Sequence, residues 1–122
     1  MSSKILVLVV EPGKAPYTKE IDSSLESLQH EVGGYIQAVY PYDDPVALIC
    51  DEEGKLKGAP LNRVLRYDDG EIFDIICGTF IITGLTEDDF GSLTPQLVEK
   101  FEGLFHNSEL FYRAGGNAWT VE

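Results

Sequence analysis

The sequence predicts an α+β fold, with a mixed or mostly antiparallel sheet, two main helices and one short helix in a βαββαβ-like order. Apolar runs rich in valine and isoleucine alternate with stretches whose apolar residues have helical spacing. Prolines and glycines separate these runs. A length of 122 residues fits one domain that buries its own core. We therefore expect a single domain over residues 1–106, followed by a C-terminal extension, 107–122, that forms a closing strand or a mobile tail.

The first strand and the first helix have the clearest signals. Lys4–Val10, KILVLVV, is apolar on both faces, which is typical of a strand in the interior of a sheet. In the helix that follows, Ser23 and Glu26 have the spacing of a capping box, and Gly33 can adopt the left-handed conformation that ends a helix. The apolar face of this helix comprises Leu25, Leu28 and Val32.

The middle of the chain is predicted to contain two strands, a hairpin tip and a short helix. Tyr35–Tyr40 and Val46–Cys50 have the composition of strands. The stretch DEEGKLKG indicates a hairpin tip, with Gly54 at the position that needs a positive φ. Pro60 begins the predicted short helix, PLNRVLR, because proline favours the first helical position. The inward residues of this helix are Leu61, Val64 and Leu65.

One further strand and one further helix complete the predicted fold. The run Ile75–Ile82 is apolar on both faces and is predicted to be one strand in the middle of the sheet. Gly78 within it indicates a bulge or a close packing contact. Thr94 is the expected N-cap of the last helix, and Pro95 its first residue. The apolar stripe of this helix comprises Leu97, Val98, Phe101, Leu104 and Phe105.

The charge of the chain excludes two classes of partner. Nine lysines and arginines face 21 acids, which gives a net charge of −12. Such a charge repels phosphate backbones and anionic membranes, so we expect neither direct nucleic-acid binding nor membrane binding. The apolar run Ile5–Val10 is too short for a signal peptide. Cys50 and Cys77 lie in apolar runs, as buried free thiols do in a reducing compartment, so we expect a cytoplasmic protein.

The sequence contains no motif for nucleotide binding or hydrolysis, such as GxGxxG, a Walker sequence, GxSxG or HExxH. A thiolate pair of Cys50 or Cys77 with His30 or His106 is disfavoured, because burial in apolar strands raises the pKa of a thiol. The histidines and cysteines lack zinc spacing, and the acidic runs lack the alternating pattern of an EF-hand. We therefore expect no catalytic residue, no metal site and no cofactor.

The acids are concentrated in one part of the chain. Between Asp43 and Asp89, 12 acids face four bases, which gives −8 in 47 residues. Acids that flank an apolar strand prevent edge pairing and aggregation, but −12 exceeds the charge of about 2–8 that keeps a small domain soluble. Tyrosines beside several acids suit recognition of a basic, arginine-rich surface. The candidate partner-binding residues are Tyr40, Tyr42, Asp43, Asp44, Tyr67, Asp68, Asp69, Glu87, Asp88 and Asp89.

The alternative hypothesis is a small-molecule-binding protein or a small enzyme. Its candidate ligand-binding residues are polar types among apolar neighbours, as in a buried site. They are Asn62, Arg63, Asp74 and Thr79. Their spacing matches no catalytic mechanism. Arg63 and Arg66 lie three residues apart on the predicted short helix, and we expect them to anchor internal ion pairs with the acids of this half.

Three stretches, GGYI, PLNR and DIICGTF, together with the sequence around them from Lys4 to Phe105, resemble a family catalogued as a domain of unknown function. Its members are small bacterial and phage proteins that are common on plasmids, prophages and other mobile genetic elements. The resemblance implies a setting among accessory genes and carries no activity. With the acidity, it implies a non-catalytic interaction module whose partner is a basic protein of the host or of the element. The narrower expectation is an inhibitor that mimics nucleic acid and occupies the DNA-binding groove of a host defence nuclease.

Overall fold

A computed structural model of the chain describes residues 4–67, 69–109, 111–113 and 119–121. In these residues the chain forms ten strands and two helices. The strands are β1 (Lys4–Val10), β2 (Tyr17–Asp22), β3 (Ile36–Val39), β4 (Val46–Asp51), β5 (Leu61–Arg66), β6 (Ile72–Cys77), β7 (Phe80–Leu85), β8 (Phe90–Gly91), β9 (Phe111–Arg113) and β10 (Trp119–Val121). The helices are α1 (Leu25–Val32) and α2 (Pro95–Phe105).

The main sheet has six strands in the order β2-β1-β7-β4-β3, with β8 paired to the end of β7. All of its strand pairs are antiparallel. Two further pairs, β5 with β6 and β9 with β10, form separate two-stranded antiparallel sheets. The expected α+β class with a mostly antiparallel sheet is confirmed, whereas the βαββαβ-like order is not, because the chain contains more strands than that layout.

The main sheet is covered on both faces, which explains why its central strands are apolar throughout. On one face Leu28 and Val32 of α1 pack against residues such as Val7 and Ile81. On the other face Phe101 and Phe105 of α2, with Leu65 of β5 and Ile76 of β6, pack against the second set of sheet side chains. The β5–β6 hairpin and α2 therefore share one side of the sheet.

The two helices begin and end at residues that satisfy their terminal backbone groups. In α1 the cap is Ser24, whose hydroxyl accepts from the backbone N–H of Ser27, and not Ser23 as predicted. The Asp22 carboxylate accepts from the Ser24 N–H at 3.0 Å and so places the turn one residue later. Gly33 ends α1 at a φ of 84°. In α2 the predicted Thr94 cap and Pro95 first position are confirmed.

Two predicted elements are wrong for the same physical reason. The predicted short helix over residues 60–66 is strand β5, and the run Ile75–Ile82 is divided between β6 and β7, which lie in different sheets. Pairing of β5 with β6 and burial of their side chains outweigh the helical spacing of the leucines. Gly78, with a φ of 79°, turns the chain between β6 and β7, where L-residues with side chains are strained.

The loop between β4 and β5 is not the predicted hairpin tip, since these strands belong to different sheets. Gly58, and not Gly54, has the positive φ, 72°. A side chain at Gly54 would lie 2.8 Å from the carbonyl oxygen of Cys77, so this glycine allows the loop to pack on β6. Strands β2 and β8 were not predicted. The extension 107–122 contains β9 and β10, which pair with each other.

Cys50 and Cys77 are buried free thiols, as predicted. No helix in the described part of the chain has the length and apolar character needed to cross a membrane.

Candidate functional site

Strand pairing brings two of the acidic runs to the same end of the main sheet. Val46, the first residue of β4, lies opposite Gly84 in β7, and the Leu85 N–H donates to the Pro45 carbonyl at 3.1 Å. Asp43 and Asp44 precede β4 with only Pro45 between, and the run 87–89 follows β7 with only Thr86 between. The antiparallel register therefore places both runs side by side, although 42 residues separate Asp44 from Glu87.

A third acidic turn borders the first run across a groove. Residues 67–71 connect β5 to β6, and the Tyr67 N–H donates to the Glu71 carbonyl at 2.8 Å. This turn, residues 41–44 and α2 enclose a groove of about 720 Å³, here called the aromatic groove. Its lining residues are Pro41, Tyr42, Asp43, Asp44, Arg66, Tyr67, Gly70, Phe73, Lys100 and Leu104. Asp68, one of the predicted partner-binding residues, lies outside the described residues.

These three runs form what we call the acidic end of the molecule. It comprises Asp43, Asp44, Asp69, Glu71, Glu87, Asp88 and Asp89. All are exposed except Asp44, which is half-buried. Two bases, Arg66 and Lys100, line the aromatic groove beside them, and Lys100 pairs with Asp44 at 2.6 Å. Lys4 and Asp22, which lie opposite each other where β1 begins and β2 ends, add one charge of each sign at this end, so the acids remain in clear excess.

Several carboxylates of the acidic end accept hydrogen bonds from their own turns. Asp69 accepts from the backbone N–H of Glu71 at 2.9 Å, and Asp89 accepts from that of Phe90 at 2.7 Å. In the second turn the Thr86 hydroxyl also accepts from the Asp89 N–H at 3.0 Å. These bonds hold the turns in fixed conformations and are consistent with acids that cap and protect the ends of strands.

The three predicted tyrosines occupy different environments. Tyr42 is half-buried and its ring meets Phe101 edge to face at 4.9 Å between centroids, so it belongs to the core. Burial raises the pKa of the Tyr42 hydroxyl. Tyr67 is 59% exposed and stacks on Phe73, with 4.6 Å between the ring centroids. Tyr40 is also exposed. Of the three, only Tyr42 and Tyr67 line the aromatic groove.

The opposite end of the main sheet, here called the lysine-paired end, contains acids with basic partners. Lys57 donates to the Asp51 carboxylate at 2.8 Å, and Lys55 pairs with Asp74. The hydrogen bond from Lys57, together with one from the Glu53 N–H, lowers the pKa of Asp51. These pairs lie between the β4–β5 loop and β6.

Asn62 and Arg63, from the alternative ligand site, are buried and hold backbone segments together. Asn62 donates to the carbonyls of Val10 and Gly78, both at 2.9 Å. Arg63 Nη1 donates to Asn62, and Nη2 donates to the carbonyls of Lys14 and Phe105 at 2.7 and 2.9 Å. These contacts join β1, β5 and the end of α2, which is a structural role.

The other expectations for this region have mixed outcomes. Among the ion pairs of the described residues, none includes Arg63 or Arg66, and Arg63 donates to backbone carbonyls where an ion-pair anchor was predicted. Asp74 lines a second groove of about 900 Å³, here called the apolar groove, which runs between the β4–β5 loop and β6. Thr79 is half-buried and does not line that groove. The four alternative residues therefore do not share one pocket.

Neither buried cysteine is activated as a nucleophile. Burial raises the pKa of the Cys50 thiol to about 11 and also raises that of Cys77, so both thiols are protonated and weakly nucleophilic at neutral pH. No group of three or more histidines, cysteines or acids in the described residues is arranged to hold a metal ion.

Sequence reasoning missed Phe73, Lys100 and Leu104, which line the aromatic groove. Phe73 and Leu104 are 40% and 55% exposed. An exposed apolar side chain has no signature in a sequence, because exposure is decided by tertiary packing. Leu104 was assigned to the inward stripe of the last helix on spacing alone.

No curated protein and no solved structure matches the chain. A family profile described as a domain of unknown function (DUF3846) matches residues 4–106, and this range agrees with the resemblance noted from Lys4 to Phe105. With most of its length matched, the chain belongs to the DUF3846 family.

Proposed function

We propose that the protein is a non-catalytic interaction module whose acidic end docks on a basic face of a partner protein. One observation carries the proposal: the β4–β7 pairing and the β5–β6 turn gather three separate acidic runs at one end of the sheet. Acids are in clear excess over bases there, with Lys4 and Asp22 included. A concentration of one sign of charge on rigid turns attracts and orients a partner of the opposite sign.

The excess of charge supports a docking role beyond solubility. A net charge of −12 destabilises a small fold through self-repulsion, and this repulsion is relieved when a basic surface is bound. The same charge disfavours direct contact with nucleic acid or an anionic membrane. The partner class that fits is a basic protein of the host or of a genetic element, in the cytoplasm.

The narrower version of the proposal concerns a nucleic-acid-binding enzyme, such as a defence nuclease. Its DNA-binding groove is built to stabilise phosphates, and carboxylates fixed on turns present a similar charge. The setting on phages and other mobile elements, which the family resemblance implies, supports this version. The small-molecule alternative has weaker support, because Asn62 and Arg63 are occupied by backbone carbonyls.

The experiment is affinity capture from a bacterial lysate with the full chain as bait, with and without competing duplex DNA, followed by identification of the captured proteins. The acidic-end variant carries Asp43→Lys, Glu87→Lys and Asp88→Lys. The control variant carries Glu20→Lys, Glu52→Lys and Glu53→Lys, which changes the net charge by the same amount. All six positions are exposed.

We expect a basic protein that is captured by the unchanged chain and by the control variant but not by the acidic-end variant. Release of this protein by duplex DNA supports the nucleic-acid-mimic version, whereas retention limits the proposal to a basic partner that does not bind DNA. Equal loss with both variants indicates a general effect of net charge and contradicts a specific acidic end. Capture of no basic protein also contradicts the proposal.

A further inference from the structure

The aromatic groove and the apolar groove meet at one exposed ring. Phe73 of β6 lines both the aromatic groove, about 720 Å³, and the apolar groove, about 900 Å³. It is 40% exposed, and the neighbouring Ile72 and Tyr67 are 46% and 59% exposed. Large apolar side chains grouped on a surface indicate a binding site, because isolated ones are common but contiguous ones are not.

The aromatic groove contains one carboxylate, that of Asp43, without a bonding partner among the described residues. Lys100 is paired with Asp44 at 2.6 Å and lies 5.7 Å from the centre of the Phe101 ring. Arg66 is exposed and adjoins the turn that carries Asp69 and Glu71. Asp43 is exposed and makes no hydrogen bond or ion pair with any described residue. A cation that enters the groove meets Asp43 and the exposed Tyr67 ring, and also Arg66, which is in no ion pair with a described residue. The attraction for a cation therefore comes from the excess of acids around the groove as well as from Asp43.

The chemistry of the apolar groove is different. Pro60, Leu61, Ile72 and Ile75 contribute to its walls. Its two charged residues, Lys55 and Asp74, are paired with each other. The Asp74 carboxylate also accepts from the Ile75 N–H at 2.8 Å, so a side chain of β6 itself occupies this backbone donor. The groove is suited to an apolar side chain and not to the addition of a strand at that donor.

We propose that these two grooves together bind a linear segment of the partner in which an arginine lies close to a large apolar residue. The arginine stacks on Tyr67 and pairs with Asp43, while the apolar side chain passes Phe73 into the apolar groove. Arginine fits better than lysine, because its planar guanidinium can stack on a ring and pair with a carboxylate at the same time. The net charge of −12 selects a basic segment over an acidic one. This inference rests on the proposed function and adds a sequence preference to it.

The test is selection of binders from a display library of random linear peptides on the full chain. We expect enriched peptides to carry an arginine within a few positions of a leucine, phenylalanine or similar residue. Phe73→Ser is expected to weaken these peptides at least about tenfold. Tyr35→Ser, which removes an even more exposed ring that lines neither groove, is the matched control and is expected to change little. Arg→Lys in the peptide is expected to weaken binding several-fold.

A second measurement keeps the test decisive if Phe73→Ser fails to fold. Backbone amide chemical shifts of the unchanged chain are recorded with an enriched peptide, and the largest changes are expected in the linings of the two grooves, over residues 41–44, 55–61, 66–67, 70–77 and 100–104. Absence of enrichment, enriched peptides without arginine, or shifts concentrated elsewhere would overturn the inference. Its failure is distinguished from failure of the proposed function by a variant with Glu87→Lys and Asp88→Lys alone, since both residues lie outside the grooves. Loss of partner capture with that variant tests the acidic end, while peptide selection tests the grooves.

Discussion

The two ends of the main sheet have similar acidic sequences but different electrostatics. Asp51-Glu52-Glu53 lies at the end of β4, at the lysine-paired end, and Glu87-Asp88-Asp89 lies after β7, at the acidic end. At the first, Lys57 pairs with Asp51, and Lys55 pairs with Asp74 across the loop. At the second, Asp89 accepts from the backbone of its own turn, and the lysine partner found among the described residues belongs to Asp44, in the neighbouring run. A run of acids therefore predicts little until the positions of the bases are known.

The lysine-paired end is also held by a buried clamp. Asn62 and Arg63 connect the end of β1, the turn at Gly78 and the end of α2 through hydrogen bonds to carbonyls. No comparable buried polar contact joins described residues at the acidic end. We infer that one end is built for stability, and that the other keeps its charges available for a partner.

The largest expected effect is a loss of stability when the buried clamp formed by Asn62 and Arg63 is broken. Arg63→Met leaves the buried carbonyl of Phe105 and the partly buried carbonyl of Lys14 without their donor, and loss of a buried bond of this kind costs about 1–3 kcal/mol. Removing a buried guanidinium recovers part of this through the lost desolvation penalty. We expect a net decrease of about 2–4 kcal/mol in the free energy of unfolding, measured by urea denaturation. Arg66→Met, at an exposed arginine, is the control and should change stability by less than about 0.5 kcal/mol.

The second effect tests close packing at the acidic end. A Cβ at Gly84 in β7 would collide with the carbonyl oxygen of Ser92, which is backbone and cannot rotate away. Gly84→Ala should therefore destabilise the fold by about 1–3 kcal/mol, measured by thermal or urea unfolding. Gly103→Ala is the matched control: nothing lies within 4 Å of its Cβ position, and it occurs in α2. It should stabilise the fold by about 0.5–1 kcal/mol. A neutral Gly84→Ala would contradict the close approach of β8.

Much of the fold could be predicted from local signals. Strand β1 and the N-terminus of α2 were predicted correctly, because an apolar run and the pair Thr94-Pro95 each consist of consecutive residues. Strand β5 was predicted as a helix because the spacing of its leucines fits both structures, and only pairing with β6 decides between them. Strand β2, YTKEID, was missed because four of its six residues are exposed and its pattern is largely polar.

The acidic runs and tyrosines of the candidate site could be predicted individually, but their arrangement in space could not. Acidic runs are visible in the sequence, but their convergence depends on the register of β4 with β7, which no local pattern specifies. Tyr42 and Tyr67 look alike in sequence, each beside two acids, yet one packs on Phe101 and the other stays exposed. Arg63 was expected to pair with acids, but in its buried position it donates to backbone carbonyls instead.

A smaller effect concerns pH at the lysine-paired end. The pKa of Asp51 is lowered in the folded state, so the unfolded chain binds more protons in acid and the contribution of Asp51 is present above its unfolded pKa of about 4. This contribution is lost as pH falls through the folded pKa. Asp51→Asn should lower stability at neutral pH by at most about 1 kcal/mol. The difference from the unchanged chain should disappear near pH 2–3 in urea titrations at each pH. A difference that persists in acid would mean that the charge of Asp51 is not responsible.

The smallest expected effect is a change in melting temperature that differs in sign between the two ends. Glu87→Gln removes a charge that has only acidic neighbours in its turn, so it should relieve repulsion and raise the melting temperature by roughly 1–2 °C at low salt. Glu53→Gln removes the same charge, but Glu53 attracts Lys57, so the melting temperature should stay unchanged or fall slightly. Both differences should diminish at about 1 M salt, where the screening length is about 3 Å. Equal stabilisation by both variants would show that the chain responds only to its net charge. Because the two variants have identical charge, opposite signs can arise only from the local placement of bases that distinguishes the two ends.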